Sequence, residues 1–201
     1  NYLDDFVVAA DLQIDNTLFG GISGIDYHNG MYNLLCDQPS NPRFYEAKIS
    51  LINRSIDTII ISKVIKLDKL ASFFRDNRLD LEAIRYDEQN AEFVISSEGS
   101  IRNDKDPSVF TISEKGDFVS NFDIPDYFKA AQNRSRNNRV FEGLNQNIKK
   151  TGFWVAMEHP LKKDGPKPKL FPTKSPVRIT NFDSKTKQAT KQFAYELDGV
   201  S

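Results

Sequence analysis

Aligning the chain with itself gives one repeat of about 60 residues, and that repeat limits the fold more than any other feature of the sequence. In the first copy Ser23-Gly24-Ile25 is followed by Met31 to Asp37; in the second, Glu82-Ala83-Ile84 by Glu92 to Glu98; in the third, Glu142-Gly143-Leu144 by Gly152 to Glu158. The first anchors, Ser23, Glu82 and Glu142, stand 59 and 60 residues apart, and the second, Asp37, Glu98 and Glu158, 61 and 60 apart. Two anchors that stay in step across three copies mark a structural unit and not a chance match. A third landmark is a proline at the start of the next β-rich run, Pro42, Pro107 and Pro176, where a sheet tolerates proline.

Each copy closes on a further extended segment, at 58–67, 117–125 and 192–197, which makes four strands per copy. Asn29-Gly30, Glu88-Gln89-Asn90 and Lys150-Thr151-Gly152 supply turns between the first two strands. Segments 67–75 and 125–131 alone read as briefly helical. Repeated four-stranded antiparallel units of this length are the signature of propeller blades, and the expected fold is an all-β, propeller-like array with about three blades, at 19–67, 79–125 and 139–199, forming one domain over 1–201. A two-sheet sandwich gives no reason for polar anchors to repeat. Three blades do not close a ring, so the expectation is a share of a larger propeller, with 6–14 as a fourth strand belonging to another blade.

Composition narrows the function. With 27 Lys plus Arg against 28 Asp plus Glu there is no global field for nucleic acid, and no apolar run reaches the length of a spanning helix. One cysteine, Cys36, and two histidines, His28 and His159, leave no Cys/His zinc set and no internal disulfide. Gly21-Ile22-Ser23-Gly24 lacks the second glycine of a serine-nucleophile elbow and sits in a β repeat, so Ser23 reads as the counterpart of Glu82 and Glu142. Gly20-Gly21 and Gly143 read as points of close backbone approach near the axis.

In an antiparallel hairpin the start of one strand and the end of the next are neighbours, which pairs Glu82 with Glu98, Glu142 with Glu158 and Ser23 with Asp37 at one mouth of the channel. Acids packed there repel one another and require a cation, a positive side chain or a shared proton. Oxygen donors alone point to Ca²⁺, then Mg²⁺, with Asp37, Glu82, Glu98, Glu142 and Glu158 as metal ligands. Glu82, Glu98, Glu142 and Glu158 are also candidate catalytic acids and bases. For any one of them alone, capping of loop amides is the simpler reading; for the ring as a set, function is favoured. Arg43 and His159, each close to an anchor, and Lys162 and Lys163 of the long 158–176 loop are candidates to contact an anionic substrate. A solvated loop is the plain alternative for the lysines.

The runs Gly20 to Tyr27, Leu79 to Ile84, Ser96 to Gly99, Phe141 to Leu144 and Val155 to Leu161, in this order, resemble the phytase-like family, described as having esterase-like activity of phytase. The resemblance spans about Phe19 to Gly199. It implies phosphoester hydrolysis at Glu82, Glu98, Glu142 and Glu158, and export as a secreted, periplasmic or outer-membrane lipoprotein of a bacterium. The expected function is thus a metal-dependent phosphoesterase acting on a small phosphorylated substrate. The competing expectation is a non-catalytic propeller that binds a ligand or partner, any ion being structural.

Overall fold

A computed structural model describes residues 4–68, 70–169 and 173–197. Three four-stranded antiparallel sheets follow the three copies of the repeat. The first holds β3 (Ile22–His28), β4 (Met31–Cys36), β5 (Arg43–Ile52) and β6 (Ser55–Lys66). The second holds β7 (Leu81–Asp87), β8 (Glu92–Ser97), β9 (Ser108–Ser113) and β10 (Phe118–Asn121), and the third β11 (Phe141–Gln146), β12 (Gly152–Met157), β13 (Pro176–Asp183) and β14 (Ala189–Glu196). Each is an up-and-down meander, the blade of a propeller-like array, and the three blades do not close into a ring. The third repeat's expected limit, residue 199, lies outside the described residues.

Period-two alternation explains the stacking. In β8, Phe93 and Ile95 point into the core shared with the first blade, beside Leu35, Phe44, Phe110 and Ile112. Val94, between them, points the other way, into the core shared with the third blade beside Val109, Phe141, Phe153 and Phe182. The middle blade is therefore buried on both faces, and the inner strands β3, β7 and β11 stand side by side with β7 in the middle. The expected helical segments appear as a short helix, α1 (Ser72–Asp76), and as two 3-10 turns, Asp126–Phe128 and Ala130–Gln132. They deliver Phe74 and Phe128 into the two cores.

The opening segment departs from expectation. Only Gln13–Ile14 (β1) is strand, and it pairs with Thr17–Leu18 (β2) rather than with any blade. Asp15 and Asn16 both have positive φ, 48° and 57°, and make the tight turn that folds the segment back on itself. Ile14 and Phe19 then pack on the outward face of the first blade, over Leu34, Cys36, Tyr45 and Ala47.

Candidate acidic site at the blade seams

The first strand of every blade carries a β-bulge at the same place. Ile22 and Gly24 oppose Cys36 and Leu35, Leu81 and Ala83 oppose Ser97 and Ser96, and Phe141 and Gly143 oppose Met157 and Ala156. The unpaired extra residue is Ser23, Glu82 or Glu142, the first anchor of each copy. A bulged residue is freed from the ladder and its side chain is re-aimed. The second anchors are fixed just past the second strands by one recurring bond. Asp37 N–H donates to Gly21 O at 2.8 Å, Glu98 N–H to Asp80 O at 2.9 Å, and Glu158 N–H to Val140 O at 3.1 Å.

Glu82, Glu98 and Glu142 come together, each offering a carboxylate oxygen within 4.8 Å of the others. Glu98 is 1% exposed. Its Oε1 accepts the Val140 N–H at 2.8 Å, the loop-amide capping that a lone glutamate performs. Its Oε2 is buried with no hydrogen-bond partner among the described residues. Burial is the main cause that pushes Glu82 up to about 9, with the charges of Glu142 and Glu98 next. Burial also drives Glu98 up to about 8, against the Val140 bond, and raises Glu142. Without a cation, Glu82 and Glu98 hold protons at neutral pH.

The other predicted residues spread outward from this group. Glu158 is half-buried beside Glu142 and accepts from Arg139 Nη1 at 2.9 Å. Asp37 is exposed; it acts on Glu82 by charge but lies outside the tight group and lines a separate cavity of about 500 Å³ with Gly21, Cys36 and Arg43. Ser23 Oγ donates to Leu81 O at 2.7 Å and joins the first blade to the second. His159 Nε2 is 3.7 Å from Glu158 Oε1, its Nδ1 is buried without a partner among the described residues, and burial lowers its pKa.

Arg43 is taken up by internal hydrogen bonds. It is 2% exposed, and its guanidinium donates to Tyr45 Oη, Gln38 Oε1, Asn41 O and Leu18 O at 2.6 to 2.9 Å. It pins the β1–β2 hairpin to the first blade. Lys162 and Lys163 are exposed, and Lys162 Nζ bonds Asn133 Oδ1, so neither is brought to the acids. Close backbone approach falls at Gly24, where a Cβ would lie 3.0 Å from Ala83 Cα and from Glu82 O; Gly143 has only ordinary contact with Ala156 Cβ at 3.5 Å. The sequence reading missed Arg139 and Asp80. Both flank first anchors, Asp80 two residues before Glu82 and Arg139 three before Glu142, and this proximity was the available signal.

The family described as phytase-like, esterase-like activity of phytase, matches residues 17–201. The chain belongs to this family. No curated protein matches this phytase-like chain. Among solved structures, it is similar to one described as the Dos1 propeller, with 12% identity, a TM-score of 0.40 and coverage of 83% of this chain. The phytase-like chain spans about a third, 34%, of that structure's length.

Proposed function

We propose that the protein hydrolyses small phosphoric esters with a divalent cation held by Glu82, Glu98 and Glu142, Ca²⁺ in first place and Mg²⁺ second. The observation that carries this reading is the buried Glu98 Oε2, without a hydrogen-bond partner among the described residues, on a side chain grouped with the carboxylates of Glu82 and Glu142. An all-oxygen donor set fits a hard cation. Such a cation, when bound, polarises a phosphoryl oxygen and acidifies a coordinated water.

The chain's own residues supply the rest. Glu82 and Glu98 would give up their protons as a cation enters, and the carboxylates so formed, with that of Glu142, would hold it. Arg139 is 45% exposed at its side chain and keeps one N–H on Glu158. The remaining donors of its fork hold the ester's anionic oxygens. Glu158, outside the tight group, moves a proton to or from the reacting water or leaving oxygen. The family likeness supports export as a bacterial periplasmic or lipid-anchored protein, which a reporter fusion to the full-length gene tests.

The test is titration of chelator-stripped protein with CaCl₂ and MgCl₂ by calorimetry, followed by hydrolysis of p-nitrophenyl phosphate with and without EDTA. Binding with EDTA-sensitive turnover is expected. Absence of cation binding overturns the reading. A second reading, a non-catalytic propeller whose ion is structural, is favoured by the position of the cluster across a blade seam, where Glu98 already ties the second blade to the third. It requires Ca²⁺ to raise the melting temperature with no turnover of any phosphoester.

A further inference from the structure

The inner strands carry a second row of polar side chains three residues beyond the bulges, at Asp26, Arg85 and Asn145. At about 3.3 Å per residue this row lies roughly 10 Å along the strands from the acidic group. Arg85 spans all three blades. Its Nη1 donates to Asp26 Oδ1 at 3.0 Å and to Ile25 O at 2.7 Å, and its Nε donates to Asn145 Oδ1 at 3.3 Å. Asp26 Oδ2 accepts the Tyr86 N–H at 2.7 Å. A cavity of about 480 Å³ opens over this row, and Tyr27, Tyr32 and Gln146 complete much of its wall. Its volume is in the range of small-molecule sites.

We propose that this cavity is a saccharide-binding subsite, separate from the acidic cluster and independent of the phosphoesterase reading. Charge argues first. Arg85 is neutralised by Asp26, and Glu88, at the rim, is paired with Lys150 at 2.6 Å, so the lining favours a neutral ligand over an ionic one. Hydrogen bonding argues second. The guanidinium of Arg85, whose Nη2 has no partner among the described residues, and the amides of Asn145 and Gln146 are planar groups that present donors and acceptors side by side, the match for vicinal hydroxyls. Aromatic surface argues third. Tyr27 is 61% exposed, and its ring, steadied by Tyr32 at 4.9 Å, is a flat apolar platform for the C–H face of a pyranose.

The test is saturation-transfer NMR and calorimetry on the full chain with methyl β-D-glucoside, methyl β-D-galactoside, N-acetylglucosamine and cellobiose, with benzoate as the ionic aromatic control. At least one saccharide is expected to bind with a dissociation constant below about 10 mM. Tyr27→Ala is expected to weaken it about tenfold with an unchanged melting temperature, since the side chain is mostly exposed. Asn145→Ala, a second variant that leaves the Arg85–Asp26 pair intact, is expected to do the same. No saccharide binding, binding that neither variant weakens, or preference for benzoate overturns the proposal. Glu98→Gln is expected to leave saccharide binding unchanged, so failure here and failure of the phosphoesterase reading are told apart.

Discussion

Val140, in the strand-entry segment of the third blade, donates its backbone N–H to Glu98 Oε1 of the second blade at 2.8 Å. One oxygen of Glu98 is thus a seam bond and the other faces the acidic cluster. The two roles are separable by substitution.

Glu98→Gln keeps a carbonyl oxygen for Val140 and removes the charge. The melting temperature without cation is expected to hold or rise, while Ca²⁺ affinity, read by calorimetry, falls about 100-fold or more. Unchanged affinity removes Glu98 as a ligand.

The cluster makes stability depend on pH in a defined direction. Glu82 titrates ordinarily at 4.5 and in the fold at about 9, and Glu98 at about 8. Between about 4.5 and 9 the unfolded chain has released protons that the folded chain still binds, so stability falls as pH rises across that window and levels off above it. Melting temperatures from pH 5 to 10 in EDTA check this. Saturating Ca²⁺ is expected to flatten the slope, because the cation takes the place of the protons.

Gly24→Ala and Gly143→Ala make a matched pair. At Gly24 the new methyl meets the backbone of β7 at 3.0 Å and pries the first two blades apart, at a cost of about 1–3 kcal/mol. At Gly143 it meets only Ala156 Cβ at 3.5 Å, and chemical denaturation is expected to show little change or a small gain.

Arg43→Ala removes four internal hydrogen bonds and leaves the Asn41 carbonyl without its Arg43 donor, while Leu18 O keeps the Tyr45 hydroxyl, a loss of about 2–4 kcal/mol by urea denaturation. Ca²⁺ affinity of the folded protein is expected to stay as it was. A raised KM for p-nitrophenyl phosphate with unchanged stability is the opposite result, and it returns Arg43 to the substrate side.

The blades were legible because strand pairing and the two polar anchors repeat together, and β8 shows why even the buried strands could be read: its alternate residues serve two different cores. The opening segment was misread because its apolar residues resemble a strand, while the deciding element is the positive-φ turn at Asp15-Asn16. Hairpin geometry pairs Glu82 with Glu98 inside one copy, Glu142 joins them across the seam from the next, and the bulges that aim Glu82 and Glu142 leave no mark in residue type. The internal bonds of Arg43 were illegible for a related reason. Its place beside an anchor was visible, but the tyrosine, glutamine and carbonyls that surround it are set by folding of a distant hairpin.

Because Glu82 and Glu98 come from one copy of the repeat and Glu142 from the next, the carboxylate triad belongs to no single copy. Excising or transplanting one motif would carry away an incomplete set of carboxylates. In a lineage that grows by copying such units, the acidic group arises only when two neighbours abut, and each added junction is a fresh opportunity for it to diverge.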